Sequence, residues 1–336
     1  MKRLTPARLA AAGLVLLAVV ALVLWLLPSD SYIFLPDRAH PVAPLVKVPG
    51  RKPPRDGGGI YFVDVFVRKA SWLERLFPGV RDGATIVPSS VVQPPGVSEK
   101  ARRTEDLREM SRSQEVAAAV ALRELGYKVR AHAIGVLVED VARDAPAAGK
   151  LEPTDVIVSV DGRHVRTPAE LRRILAGRPV GTTFRFGVRR GSGLTRVSVR
   201  TVEDPHRAGR PIVGIFVGQA AEVRLPLSVK IDTGDVGGPS AGLAFALDIL
   251  EQLGRDVDHG QRIAATGQID FDGAVEPIGG VEQKTLGVRR AGIHVFLVPA
   301  GENAAEARKY ADGLRIIPVK NFQQALRALA TLPRSG

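Results

Sequence analysis

Ser240 and Lys284 are the residues whose types and settings suit chemistry. Ser240 stands in "GGPSAG", after Pro239 and before a run in which Leu243, Leu247, Leu250 and Leu253 recur at helical spacing, with Gly254 as the stop. Pro239 sets the approach of the chain, and Gly237 and Gly238 let backbone amides come close to whatever sits there. A hydroxyl at a helix mouth meets unpaired N–H groups and the positive end of the macrodipole, both of which favour a negative oxygen. The backbone at Gly238 and Ser240 is therefore the candidate oxyanion hole. Three readings compete for the serine: a helix N-cap, a phosphate cradle and a nucleophile. The cradle fares worse than the other two, because G-x-x-x-x-G-K-[ST] occurs nowhere in the chain, which argues against an ATPase of that class.

Lys284 lies in "VEQKTLGVRRAGI", where the spacing predicts a helix over 281–291. Val281, Lys284, Thr285 and Val288 fall on one face of it, while Arg289 and Arg290 fall off that face. A lysine turned inward is desolvated, which disfavours its charged form and lowers its pKa toward the range of a proton acceptor. A serine with such a base in reach becomes a nucleophile, and Ser-Lys is one variant of the triad logic. The plainer alternative is a stem packed inward with its ammonium reaching out to water. "GPSAG" also fits the G-x-S-x-G elbow of α/β-hydrolases. That elbow needs a sharp strand-to-helix turn, whereas "DTGDVG" separates the strand-like "LSVKI" from Ser240, and neither His259 nor His294 has an evident acid partner.

Composition narrows the remaining classes. The 336 residues carry a net charge of +12 and no cysteine, so disulfides, thiolate metal sites and a cysteine nucleophile are excluded. Six scattered histidines never form HExxH or another paired ligand spacing, so no metal or other cofactor is expected. No basic run interleaves with aromatics, which argues against nucleic acid. The N-terminal "MKRLTPAR" is followed by an uncharged run, Leu9 to Leu27, about long enough to cross a bilayer. Lys2, Arg3 and Arg8 precede it and Asp30 and Asp37 follow, so the positive-inside rule places residues 1–8 in the cytoplasm and everything beyond the span outside. The run is longer than a usual signal-peptide core and lacks an A-x-A site, which favours an uncleaved anchor.

Proline-rich residues 28–59 read as a semi-extended spacer. "IYFVDVFVRK" (60–69) reads as one β-prone strand, and "SRSQEVAAAVALRELGY" as a helix with Ser111 and Gln114 at capping-box spacing. From 129 to 203 short strands dominate, interrupted by one helix with Thr167 as N-cap and Pro168 at its first position. The run "IGVLVEDVARDAPAAGKLEPTDVIVSVDGRHVRTPAELRRIL" resembles a PDZ domain. The resemblance implies that Ile134, Gly135 and Val136 form the loop whose backbone N–H groups receive a peptide, which then adds as a strand at a sheet edge.

"GGPSAG" with its apolar helix, followed by "TGQIDFDGAVEPIGGVEQKTLGVRRAGIHVFLVP", resembles the proteolytic domain of the Lon (S16) family over most of 211–331. That resemblance implies Ser240 as nucleophile, Lys284 as general base and Thr266 as the threonine that positions the lysine. It also implies the α+β fold of that domain, related to ribosomal protein S5 domain 2. Gly237 stands where many relatives carry an acid, with Asp235 nearby. "YFVDVFV" and "LREMSRSQEVAAAVAL" resemble early elements of the same fold. The expected organisation is therefore an anchor over 9–27, a spacer over 28–59, a protease part over 60–128, an inserted PDZ-like domain over 129–203 and the catalytic part over 204–332. The implied activity is an ATP-independent serine endopeptidase at the cell membrane, acting on flexible or unfolded proteins. The competing reading is an inactive, anchored peptide-binding scaffold. Members of the Lon family often form rings, so a homo-oligomer is implied by the resemblance, although nothing in the residues themselves requires one.

Overall fold

Helix α1 (Pro6–Leu26) leads the chain in the computed structural model, which describes residues 6–50, 57–92, 99–205 and 207–334. The side chains of α1 are described from Ala10 onward and are mostly exposed, Leu14 to 71% and Leu17 to 67%. Among the described residues no helix is long and apolar enough to cross a membrane. Lys2, Arg3 and the side chain of Arg8 lie outside the described residues.

The spacer expected after α1 is instead folded structure. β1 (Pro28–Pro36) follows at once, and later come β2 (Gly59–Phe62), β3 (Val65–Ser71), the short helix α2 (Trp72–Leu76) and β4 (Thr85–Pro88). β1 is the middle strand of an antiparallel sheet between β3 and β4. Pro28 and Pro36 bound the strand, where a missing N–H costs little, and Tyr32 and Ile33 between them are buried. Val42, Val46 and Val48 enter the main core; residues 51–56 lie outside the described set. Prolines here punctuate short β runs and do not make an extended tether. The single strand expected over 60–69 is also two strands: β2 and β3 belong to different sheets, with Val63 and Asp64 at the corner.

The helix expected to begin near Ser111 begins earlier, as α3 (Glu99–Glu124). Its first turns lack an apolar stripe but are rich in strong helix formers, so the boundary signal misled. Ser111 is mid-helix, its hydroxyl donating to the Leu107 carbonyl at 3.0 Å, and the capping box does not form.

A second unit follows: β5 (Arg130–Val141), β6 (Val156–Val160), α4 (Pro168–Ala176), β7 (Thr183–Arg190), β8 (Gly193–Arg200) and β9 (Ile215–Arg224). The strands run in the order β8-β7-β6-β5-β9. Val136, Ile157, Leu171, Phe184 and Phe186 lie in a core of its own. Thr167 caps α4 as the spacing predicts, its hydroxyl accepting the Glu170 N–H at 3.2 Å.

The chain then forms α5 (Gly242–Gln252), β10 (Arg262–Ala265), α6 (Val281–Arg290), β11 (Val295–Pro299), α7 (Glu302–Lys309), β12 (Arg315–Val319) and α8 (Phe322–Leu329). β2, β10, β11 and β12 make a parallel sheet, so both of its faces must be covered. Strand alternation divides the packing: Ile263, Ala265 and Leu297 face the cluster that includes α5, while Ala264, Phe296 and Val298 face the one that includes α6 and α7. Val116 and Ala117 of α3 share the first cluster with Leu247 and Leu297. Residues on both sides of the second unit therefore build one core.

Candidate active site

Ser240 lies in a turn two residues before α5 and does not cap it. The N-cap is Ala241, with no side-chain capping bond. The Ser240 carbonyl is held from two sides, by the Gly267 N–H at 2.8 Å and the Thr266 hydroxyl at 3.2 Å. Ser113 of α3, buried and without any sequence signal, donates its hydroxyl to the Pro239 carbonyl at 2.9 Å. Gly237 allows a close approach to α3, since a Cβ there would fall 2.6 Å from Asp106 Cβ. The glycine loop is thus pinned to α3 on one side and to the strand end at Ala265 on the other.

Opposite it, α6 presents Val281, Lys284, Thr285 and Val288 inward, all buried. Lys284 Nζ lies 2.8 Å from Ser240 Oγ and 3.4 Å from Thr266 Oγ1. Burial lowers the lysine pKa to about 8, against the opposing pull of the Asp64 carboxylate. A neutral amine in that position can accept the serine proton, which is the geometric requirement of a nucleophile–base pair. Asp64 is the member of this environment that sequence reading missed. Its signal was an acid inside an otherwise apolar run, "YFVDVFV". It sits at the β2–β3 corner with Oδ1 buried 3.9 Å from His40 Nε2, and burial raises its pKa.

The structure brings Ser240, Lys284 and Thr266 together and separates other candidates from their expected places. The Gly238 N–H donates to the Asp106 carbonyl at 2.8 Å, so it is spent on holding the loop and cannot serve an oxyanion in this conformation. Of the two donors expected, that leaves the Ser240 N–H. Asp235 is 96% exposed and pairs with Arg103, away from the dyad. Ile134, Gly135 and Val136 are no loop. They lie inside β5, with Val136 paired to β6 on one side and β9 on the other, and Ile134 at a register shift. A Cβ on Gly135 would fall 2.6 Å from the Ile157 carbonyl, so this glycine serves strand packing. A second hydrophobic-Gly-hydrophobic triplet, Val213-Gly214-Ile215, leads into β9, which is the edge strand of the sheet.

A cleft of about 510 Å³ runs between the two units beside the serine, lined by Pro239, Gln268 and Asp270 on one wall and Leu137, Val138 and Glu139 on the other. Glu109 and Arg112 of α3 form its floor, and burial pushes Glu109 up to about 7.

Residues 227–331 match the Lon protease (S16) C-terminal proteolytic domain, and residues 123–201 match a PDZ domain. The chain is 34% identical to Lon protease 2 of Bacillus subtilis over 111 residues, which is 33% of this chain and 19% of that protein. It is 29% identical to Lon protease 1 of Sorangium cellulosum over 209 residues, 54% of this chain and 25% of that one. The chain therefore spans a quarter or less of the length of these curated relatives. Among solved structures, the PDZ domain of an SdrC-like protein from Listeria monocytogenes is 27% identical, covering 25% of this chain and 87% of that one, with a TM-score of 0.24. The match to the Lon-type proteolytic domain covers the segment that carries Ser240, Thr266 and Lys284. This chain joins a Lon-type proteolytic domain to a PDZ domain in one polypeptide.

Proposed function

We propose that the protein is an ATP-independent, membrane-anchored serine endopeptidase that works through a Ser240–Lys284 dyad on flexible or unfolded proteins outside the cytoplasm. The observation that carries the reading is the 2.8 Å approach of a fully buried lysine amine to the serine oxygen. Lys284 takes the Ser240 proton as Oγ attacks the peptide carbonyl. The tetrahedral oxyanion is received by the Ser240 N–H at the mouth of α5. The resulting ammonium returns its proton to the leaving amine, giving an acyl-enzyme that water then hydrolyses. Thr266 is a positioning residue, because its hydroxyl touches both the Ser240 carbonyl and the lysine amine.

The PDZ-like unit is inserted between two halves of the protease domain, a reading supported by the core that residues before and after it share. Substrate adds as a strand to the free edge of β9 and passes from there into the cleft beside Pro239. The anchoring reading rests on the uncharged sequence run Leu9 to Leu27 and on the basic residues before it. No P-loop sequence is present to couple nucleotide to the reaction. The purified full chain in lipid nanodiscs will cleave a labelled unfolded protein equally with and without Mg-ATP. Cleavage seen only with nucleotide would sink the ATP-independent reading, and no cleavage under either condition would leave the scaffold reading in its place.

Acid inactivates the enzyme through Lys284. The base must be neutral, so kcat/KM falls tenfold for each unit of pH below its pKa of about 8 and levels off above it. A pH–rate profile that stays flat from 9 down to about 6 contradicts a lysine base.

A further inference from the structure

The segment from Phe66 to Arg81 carries apolar surface that nothing in the catalytic scheme uses. Phe66, Trp72, Leu76, Phe77 and Val80 are exposed, Phe77 to 57%. They adjoin the end of α1: α2 packs against α1, and the Trp72 N–H donates to the Leu27 carbonyl at 3.0 Å. Both tryptophans of the chain are here, each under an arginine, with Arg81 5.1 Å over Trp25 and Arg75 5.0 Å over Trp72. The segment holds Arg68, Lys69, Arg75 and Arg81, and its one acid, Glu74, is buried and paired to Arg68 and Arg81. The exposed face therefore combines large apolar side chains, two indoles and a net positive charge.

We propose that this segment is a collar that seats the protease domain on a bilayer of anionic phospholipid, a role that rests on α1 being the anchor. Trp72, Leu76, Phe77 and Val80 enter the boundary between headgroups and acyl chains, and the basic groups meet lipid phosphates. Continuity with α1 and the sign of the charge select lipid over a protein partner. The consequence is a fixed posture. β1 leaves α1 with no spacer, and its neighbour β4 meets the lysine-bearing helix through Gln283, which donates to the Thr85 hydroxyl at 2.9 Å. The catalytic helix is thereby held close to the membrane surface, where membrane-proximal and freshly translocated segments are the accessible substrates.

The test uses the full chain with Trp25→Phe, which leaves Trp72 as the sole tryptophan, in vesicles of phosphatidylcholine and phosphatidylglycerol. The acyl chains are either plain or brominated at positions 6 and 7 or 11 and 12. Trp72 emission is expected to be blue-shifted and reduced to about half by the shallow bromines, with less effect from the deep ones, as insertion to the boundary requires. Protein that floats with vesicles but keeps unquenched emission overturns the collar and leaves the anchor standing. Emission that is blue-shifted yet unquenched assigns the patch to a second copy of the chain. Failure to float removes the anchor and the collar together.

Discussion

Lys284→Met will abolish proteolysis, lowering kcat/KM by on the order of 10⁴-fold or more, and Ser240→Ala will do the same. Because the two residues act as a unit, the double variant will be no worse than either single one. Lys284→Arg will also be inactive, since a guanidinium keeps its proton at any working pH. These changes separate chemistry from folding. Methionine matches the lysine stem and removes a group that is costly to bury charged, so thermal stability will hold while activity disappears. Residual activity above about a tenth of wild type in Lys284→Met, read as kcat/KM on a labelled unfolded protein, would falsify the dyad.

Gly287→Ala is expected to cripple the enzyme from a position that never touches substrate. In an isolated helix the change would stabilise by about 1 kcal/mol. Here a Cβ on Gly287 would fall 1.9 Å from the carbonyl oxygen of Asp37, a backbone atom that cannot swing aside, and 3.1 Å from Val63 Cγ2. α6 must shift, at a cost of about 1–3 kcal/mol. Lys284 lies one turn away on the same helix, so the shift lengthens its 2.8 Å approach to Ser240. A displacement of about 1 Å is enough for roughly 10²-fold in rate. Urea denaturation and kcat/KM on the same preparation check both effects. A Gly287→Ala protein as stable and active as wild type would show that α6 is not held against Asp37.

Much of the architecture was readable because it follows local periodicity. Val281, Lys284, Thr285 and Val288 mark one face of α6 without reference to any neighbour, and Thr167-Pro168 marks the start of α4 by capping chemistry alone. Readings based on composition fared worse. Residues 28–59 are rich in proline, yet Tyr32 and Ile33 are core residues of a central strand, because prolines at strand ends cost nothing there. The same holds for α3, whose polar first turns gave no hydrophobic pattern to follow. Ser113 and Asp64 had no motif, and both matter only through what lies across from them.

By itself, the order of residues determined which side chains share a helix face and where the glycine turn stands. Covalent spacing and helical period are local properties, and they put Lys284 on the inward face of its helix and Ser240 in its glycine turn. Thr266, by contrast, came only with the resemblance to the Lon family. Tertiary structure decided how those groups are served. Asp106 takes the Gly238 N–H that a local reading would give to an oxyanion, and β9 pairs along the strand that was read as a peptide-binding loop. A backbone hydrogen bond has one donor, and only the folded chain settles which acceptor claims it.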